Sequence, residues 1–410
     1  MHAGIHRLIW NRLPRRARRS ALFACTHLSA PKPDPDARPA EPVIVVGCLR
    51  SSTGLGQSAR LCYQALSAGG VDVRGIDVSS LLMQPVDAPD FAFRDGRSCD
   101  GPGTLLVHVN APLMPLVFLS LGRQIVGDKW IVGYWAWELP VIPPEWRFGV
   151  PYVHEIWVPS RFVAEAVAAR VASVAIRTLP HPAACGERHP LAPSGQNRRP
   201  FTALVIFNMG SSMARKNPIA AIAAFQQAFG DRPDTRLIVK SANAGLFPEG
   251  ERRLRAAAMG AQNVTFINRT MRPLELSQLY GETDCLLSLH RSEGFGLTVA
   301  EAMLHGVPTL STDWSGTTDF VNTETGHPVA YRLVSARDPQ DTYDDPDLLW
   351  AEADTAAAAG VLRQRRENPD GLGERARDHA LRRFGADAYV AAVEGFLTPG
   401  KRAILAGAVS

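Results

Sequence analysis

No run of eighteen consecutive apolar residues occurs in this chain of 410 residues, so the sequence predicts no membrane-spanning helix. The six cysteines contain no Cys-x-x-Cys pair and show no metal-type spacing with the histidines. Scattered single thiols indicate a reducing compartment, and we therefore expect a cytoplasmic protein. No segment repeats at a fixed period, which argues against a solenoid fold.

The residues that are present have the composition of a globular protein, with 46% apolar and 20% charged residues. The length is that of two domains of ordinary size. The formal charge is +4, but residues 1–40 alone carry a net +6, which leaves −2 for the rest of the chain. A body with that charge is not expected to bind nucleic acid.

Residues 1–42 form a basic tail and a proline-rich linker. Leu8-Ile9-Trp10 comes before five arginines between positions 12 and 19, and a basic segment with an apolar end can lie on an anionic membrane surface. Peripheral membrane contact through residues 1–20 is therefore one interpretation, and a disordered tail or an over-long start is the other. No apolar stretch fits a secretory signal, and residues 31–42 predict an extended linker.

The most informative segment begins with the short apolar run Cys285–Leu289, which is typical of a buried parallel strand. Helix-forming residues follow from Gly296 to His305, and a Gly-Val-Pro sequence ends them. Glu293 and Glu301 therefore lie where a strand passes into a helix. This is the edge of a parallel sheet at which open α/β folds bind ligands.

That junction has the chemistry to bind a diphosphate-linked sugar. The first N–H groups of a helix are unpaired and its dipole is positive there, which suits a diphosphate. Gly294 and Gly296 let the backbone approach a ligand closely. Glu293 can accept hydrogen bonds from sugar hydroxyls, and Glu301, further along the helix, from a ribose diol. The alternative is that Glu293 is only a neighbour of the helix N-cap and that Glu301 is a solvated surface residue.

The segment Ser292–Met303 resembles the donor-site signature of family 4 retaining glycosyltransferases, and the resemblance extends over most of residues 43–390. It implies the GT-B fold, an α/β architecture of two Rossmann-like domains facing each other across a cleft. It also implies transfer from a nucleotide-sugar donor with retained anomeric configuration, and we expect no metal or cofactor. Glu293 is then a catalytic residue, and the donor-binding residues here are Glu301, Gly294, Phe295, Gly296, Leu297 and Thr298.

Residues 43–182 are predicted to form the first, acceptor-binding domain. The strand Val43–Gly47 is followed by a glycine loop and a helix, which is how a Rossmann-like unit opens. Gly54 and Gly56 match the family's glycine-rich loop facing the donor diphosphate, so they are predicted donor contacts. The third glycine of the dinucleotide fingerprint is absent, and a simple tight turn is the alternative.

Polar and aromatic residues follow two further strands of this domain. Aromatic rings stack on sugars, and a carboxylate can orient a hydroxyl or take its proton. We therefore predict acceptor contacts for Asn110, Trp135 and Trp137 and a catalytic role for Glu138. Many family members carry a histidine near this strand end, where this sequence has Trp-Ala-Trp-Glu. Core aromatic rings beside a solvated glutamate are the alternative.

The second half has a linker at 183–200, a nucleotide-sugar domain at 201–384, and a returning helix with a tail at 385–410. Residues 348–366 and 384–397 are predicted to be helical. Lys216 follows a buried strand and matches the family's phosphate-binding lysine, so we assign it a catalytic role. In the family an arginine is common six residues before this lysine, and this sequence has Gly210 at that position. The second positive charge at the diphosphate is therefore either missing or supplied by Arg215.

The resemblance implies a transferase that moves a hexose to a saccharide or lipid-linked saccharide acceptor, in cell-surface polysaccharide synthesis. Three alternatives remain. They are a non-catalytic sugar-nucleotide-binding protein of the same fold, a glycoside hydrolase with two carboxylates, and a GT-A transferase with an Asp-x-Asp metal site. Asp345-Pro346-Asp347 is the candidate for that metal site, in a predicted polar loop. The donor base, the sugar and the acceptor are not identified.

Overall fold

The computed structural model describes residues 15–182, 199–258 and 260–397, with side chains from residue 21 onward. Residues 1–14 of the predicted tail, most of the linker at 183–200 and residues 398–410 lie outside this part. No helix within the described ranges is both long and apolar enough to cross a membrane.

The first half of the chain forms a parallel sheet of six strands in the order β2-β1-β3-β4-β5-β6. Its strands are β1 Val43–Gly47, β2 Val73–Asp77, β3 Gly103–His108, β4 Lys129–Tyr134, β5 Glu155–Val158 and β6 Ala175–Thr178. Its helices are α1 Arg15–Ser29, α2 Gly54–Ala68, α3 Met114–Leu121, α4 Arg123–Val126 and α5 Arg161–Ala168. The central strands are buried along their whole length, as expected when helices cover both faces of a parallel sheet.

The second half forms another parallel sheet of six strands, in the order β12-β11-β10-β7-β8-β9. Its strands are β7 Phe201–Ile206, β8 Thr235–Ser241, β9 Val264–Asn268, β10 Cys285–Ser288, β11 Thr309–Thr312 and β12 His327–Val329. The helices within this half are α6 Met213–Lys216, α7 Pro218–Phe229, α8 Pro248–Ala257, α9 Pro273–Gly281 and α10 Leu297–Leu304. The loops that leave β7 and β10 therefore meet at one sheet edge.

An antiparallel hairpin of β13 Tyr331–Ala336 and β14 Asp345–Ala353 follows the second sheet. The predicted helix over 348–366 is therefore wrong at its start, because β14 runs to Ala353. Helix α11 begins only at Thr355, after Asp354 caps it through its side chain. Asp345-Pro346-Asp347 begins β14 and does not lie in a loop. The buried ring of Trp350 anchors this strand in a small apolar cluster.

The last helices run from Thr355 to Leu397 and end on the first sheet. They are α11 Thr355–Glu367, α12 Leu372–Phe384 and α13 Ala386–Leu397. Tyr389, Val390 and Val393 of α13 are buried in the same hydrophobic cluster as Val43 and Leu66 of the first half. The chain thus crosses back to the half in which it began.

The two halves also contact each other at the loop before α10. The hydroxyl of Ser160 donates to the carbonyl of Gly294 at 2.6 Å. Arg161, at the start of α5, pairs with Asp319 at 2.8 Å. The first contact holds the loop that carries Glu293 against the first half of the chain, and the second holds the segment that ends at Asp319.

Candidate active site

The loop from His290 to Gly296 joins β10 to α10 at the carboxyl edge of the second sheet. Gly296 has φ of +100° and is the residue before the helix, and no side chain caps the helix there. The N–H groups of Leu297 and Thr298 therefore remain without a side-chain partner, and they create the positive end that an anion prefers. The sequence prediction of a strand, a loop and a helix at these positions agrees with the observed elements.

The glycines of this loop are required by contacts within the protein. A Cβ on Gly294 would lie 2.9 Å from the carbonyl oxygen of Trp137, which belongs to the first half. A Cβ on Gly296 would lie 2.6 Å from Cγ2 of Thr317, at a backbone angle that favours glycine. The loop is therefore shaped by close packing against both halves.

Glu293 is buried and holds two cations. Its Oε1 accepts a short hydrogen bond from Nζ of Lys216, and its Oε2 accepts from Nη1 of Arg215 at 3.1 Å. Burial raises the pKa of Glu293, but the charges of Lys216 and Arg215 outweigh it and lower the value to about 2. Glu293 is therefore a carboxylate throughout the working pH range.

Arg215 is tied to Glu293 through Nη1, and its Nε is buried without a hydrogen-bond partner among the described residues. Its Nη1 also donates to the carbonyl of Ser292 at 2.8 Å, and its Nη2 donates to that of Ser211 at 3.0 Å. Its side chain is 3% exposed, and its guanidinium lies 5.1 Å from the centre of the Tyr343 ring. The prediction that Arg215 supplies a second charge to a diphosphate is therefore corrected. It holds Glu293 in place.

Glu138 approaches the same cluster from the first half. The hydroxyl of Tyr343 donates to its Oε2 at 2.8 Å, and Nη2 of Arg215 lies 4.0 Å from its Oε1. Glu138 and Glu293 thus share Arg215 as a common neighbour. Tyr343, between β13 and β14, was not predicted, because no motif in the sequence links this position to Glu138.

Glu301 lies on α10 among different neighbours. The hydroxyl of Tyr280 donates to its Oε2 at 3.3 Å. Burial raises the pKa of Glu301 to about 7, although the Tyr280 hydrogen bond and the charge of Lys240 act to lower it. The two glutamates of the signature therefore differ, because one is always ionised and the other titrates near neutrality.

The predicted acceptor residues fall into different environments. Trp135 is fully buried in the core of the first sheet, and its Nε1 donates to Sδ of Met114. Its ring cannot stack on a sugar, so this prediction is corrected. Trp137 is only partly buried and its ring meets that of Tyr343, while Asn110 is bonded through its Oδ1 to the N–H of Ala136.

The remaining predicted donor residues also lie in different environments. The ring of Phe295 is buried against His181, Phe320 and Phe384, so the side chain belongs to the core and only its backbone can meet a ligand. Leu297 and Thr298 are partly exposed at the helix start. Gly54 is exposed at the start of α2, whereas Gly56 is buried. A Cβ on Gly56 would lie 2.3 Å from the carbonyl oxygen of Ser51, so this position has no room for a side chain.

A buried polar cluster behind Phe295 was not predicted as part of the site. The hydroxyl of Ser58 lies 2.7 Å from Nδ1 of His108 and 3.0 Å from Nδ1 of His181. Burial lowers the pKa of both histidines to about 3, so they are neutral. The ring of His181 then meets that of Phe295 at 5.0 Å. Among the described residues, no group of three or more histidine, cysteine, aspartate or glutamate side chains is arranged to hold a metal ion.

Solved glycosyltransferase structures have the same arrangement of two sheets. A glycosyltransferase from Rickettsia africae ESF-5 matches with a TM-score of 0.63 at 14% identity, over 88% of this chain and 98% of its own. Anabaena Alr3699/HepE in complex with UDP and glucose gives 0.57 at 12%, over 87% and 99%. The lipopolysaccharide outer core galactosyltransferase WaaB gives 0.56 at 12%, over 86% and 98%. Likeness at such low identity shows the fold, and the predicted GT-B architecture is confirmed.

The family follows from residues 162–378, which match the model described as family 4 glycosyltransferase in conflict systems. The match spans more than half of the chain, so the protein belongs to this family of glycosyltransferases. The resemblance carried by Ser292–Met303 is thereby confirmed. No curated protein matches the chain.

Proposed function

We propose that this protein transfers a hexose from a nucleotide-sugar donor to a saccharide or lipid-linked saccharide acceptor, with retention of configuration and without a metal. The observation that carries the proposal is the pairing of Lys216 with Glu293 directly before the uncapped start of α10. A cation and free amides beside a fixed carboxylate suit a ligand that has a diphosphate at one end and a polyol at the other.

The donor is proposed to lie along the edge of the second sheet. Its diphosphate meets Lys216 and the N–H groups of Leu297 and Thr298. The ribose diol donates to Glu301, and the transferred hexose lies over the Glu293 loop. Lys216 is only partly buried, with 17% of its side chain exposed, so a ligand can reach its ammonium group while Glu293 still orients it.

The chemistry follows from the charges. The bond between the anomeric carbon and the diphosphate oxygen breaks, and a bond to the acceptor oxygen forms on the same face. The acceptor's proton passes to the leaving phosphate oxygen. Negative charge grows on the diphosphate during this step, so Lys216 and the helix start stabilise the transition state more than the ground state. Glu293, with its pKa of about 2, is a hydrogen-bond acceptor and cannot protonate the leaving group.

Glu138 and Trp137 are proposed to orient the acceptor. The side chain of Glu138 is 19% exposed, and it faces the same Arg215 that holds Glu293. An acceptor hydroxyl bonded to Glu138 would therefore approach the transferred sugar from the first half of the molecule. Gly54, at the exposed start of α2, is proposed to face the diphosphate across the cleft, and Asn110 supports the loop that carries Trp137.

The relatives support a uridine-type donor as the first to test, since HepE was solved with UDP and glucose. WaaB acts on lipopolysaccharide, which supports a surface saccharide as the acceptor. A cytoplasmic location at the inner face of the membrane is proposed. Helix α1 leaves Leu28 84% exposed and Leu22 40% exposed, next to the arginine-rich segment that precedes them.

A thermal-shift screen against nucleoside diphosphate sugars tests the donor, and turnover of the stabilising donor with a panel of saccharide acceptors tests the transfer. We expect one donor class to raise the melting temperature, and product formation to continue in EDTA. Donor binding without product across the panel would favour the non-catalytic protein. Hydrolysis of aryl glycosides without nucleotide would favour the hydrolase. Anomeric proton couplings of the product decide between retention and inversion.

A further inference from the structure

A cavity of about 740 Å³ lies beside α6, between α7, the start of α8 and the hairpin β13–β14. Met213, Ala214 and Asn217 form part of its wall, but Lys216, Glu293 and Glu301 do not. It is therefore separate from the proposed donor site, although both adjoin α6. Its volume is in the range of about 300–1,000 Å³ that is usual for small-molecule sites.

The inner wall of the cavity is largely apolar. Ile219, Phe247, Val334 and Trp350 all line it. Phe247 is only partly buried in the neighbouring hydrophobic core, and Trp350 anchors the hairpin. An aromatic or other apolar body of small-molecule size would remove this surface from water.

The charges at the cavity favour an anion. Its two acidic residues are already compensated, since Glu249 pairs with Arg252, and Glu352 pairs with Arg291 at 2.6 Å. Arg253 and Arg337 also line the cavity and are exposed, and neither side chain forms an ion pair or hydrogen bond with any residue in the described ranges. Two uncompensated guanidinium groups thus flank an apolar wall.

We propose that this cavity is a second ligand site, for a small molecule that combines an aromatic or other apolar body with one acidic group. Carboxylates, sulfonates and phosphates are the groups that a guanidinium recognises in planar, bidentate geometry. The apolar body lies against the partly exposed side chains of Ile219, Phe247 and Val334. The acidic group lies between Arg253 and Arg337. This ligand is neither the donor nor part of the transfer reaction.

The wall of the cavity is linked to the residue that faces the donor. Arg291 donates to the carbonyl of Ala214, and Asn217 donates to Glu352 at 3.2 Å, so both ends of α6 are held by cavity residues. Lys216 lies between those two attachments. A ligand that engages Arg291 or Glu352 therefore acts on the position of Lys216, and occupancy of the cavity changes donor affinity.

Isothermal titration of the full chain with 2-naphthalenesulfonate, and with its neutral analogue 2-naphthalenesulfonamide, tests the site. We expect saturable binding of the sulfonate at one site, about tenfold tighter than the sulfonamide. The double variant Arg253→Gln/Arg337→Gln lowers the affinity of the sulfonate to that of the sulfonamide. The matched control Arg170→Gln, an exposed arginine on the other half, leaves it unchanged.

A second variant, Ala223→Phe, fills the cavity from α7 and abolishes binding of both probes, while its melting temperature shows that it still folds. Absence of saturable binding, equal affinities for the two probes, or sulfonate binding that survives both variants would overturn the proposal. The Arg253→Gln/Arg337→Gln variant keeps the donor affinity measured without probe, so a failure of the donor screen is distinguishable from a failure here. Saturating sulfonate shifts the donor Kd at least about threefold, and an unchanged Kd would refute the link through α6.

Discussion

We predict that the carboxyl group of Glu301 makes donor affinity depend on pH near neutrality. Burial raises its pKa from 4.5 to about 7 in the ligand-free protein. A carboxylate can accept hydrogen bonds from both hydroxyls of a ribose, and we expect the donor to bind this ionised form. With this pKa the ionised fraction is about ten in eleven at pH 8 and about one in eleven at pH 6. The donor Kd therefore rises about tenfold from pH 8 to pH 6, a loss of about 1.4 kcal/mol of binding free energy.

Isothermal titration at several pH values, with the donor found by the thermal-shift screen, measures how the donor Kd changes with pH. Each phosphate of a nucleotide sugar has one ester and one anhydride linkage, and its single acidic oxygen stays ionised over this range. The pH dependence of the donor Kd therefore belongs to the protein. In Glu301→Gln we expect weaker binding with a flat pH profile, because an amide cannot ionise. The control Glu394→Gln, on the exposed side of α13, keeps the wild-type slope. A flat wild-type profile, or a slope that persists in Glu301→Gln, would refute the role assigned to Glu301.

The same group also makes stability depend on pH, with a definite sign. Because the pKa of Glu301 is higher in the folded than in the unfolded chain, the folded protein holds a proton that the unfolded chain releases between about pH 4.5 and pH 7. Its contribution to stability is therefore lost as the pH rises through that window. Urea unfolding should show that Glu301→Gln stabilises the protein more at pH 8 than at pH 5.

Three further substitutions test the loop and its cations. Glu293→Gln leaves two buried cations without their carboxylate and should lower the free energy of unfolding by about 3–5 kcal/mol in urea titrations; a loss under 1 kcal/mol would contradict the buried network. Lys216→Ala should lower kcat/KM about a hundredfold or more while Lys216→Arg keeps part of the activity, and unchanged kinetics would exclude contact with the diphosphate. Gly296→Ala should cost about 1–3 kcal/mol of stability, because of its φ and the clash with Thr317, whereas Gly360→Ala, with open space around it, should cost nothing. Equal melting temperatures for the two alanine variants would refute the claim that the backbone angle and the packing at Gly296 require a glycine.

The local parts of the site could be predicted from the sequence because their signals lie close together in the chain. The run Cys285–Leu289 and the glycines before Leu297 predict a strand, a loop and a helix within twenty positions. The structure has those elements at Cys285–Ser288 and Leu297–Leu304. Lys216 follows a buried strand, as the sequence indicates, and its role at a diphosphate stays a prediction.

The partners of these residues could not be predicted, because they depend on contacts between distant positions. Arg215 lies 78 positions from Glu293, and Tyr343 lies 205 positions from Glu138. Periodicity indicates which residues form a strand or helix, but not which side chain from another element reaches them. Arg215 was expected to face a phosphate, but its guanidinium faces the carboxylate of Glu293.

Side-chain direction at the end of a strand was the second source of error. Trp135 follows β4 directly, and the sequence does not indicate whether its ring turns toward the cleft or the core. The structure places it in the core beside Met114, while Trp137, two positions on, stays partly exposed. The hairpin was missed for a related reason, since the burial of Ala336, Trp350 and Ala351 depends on apolar surface that other elements provide.

The contacts between the halves make the Glu293 loop and the Glu138 strand end a single structural unit. Ser160 holds the carbonyl of Gly294, and Gly294 has no room for a side chain because the backbone of Trp137 lies against it. Arg215 then lies between Glu293 and Glu138. Since packed contacts of this kind shift together, we expect a donor that draws Lys216 away from Glu293 to leave Arg215 as the main partner of Glu293 and to weaken its attraction to Glu138. We therefore predict that the donor and the acceptor are coupled through one buried guanidinium.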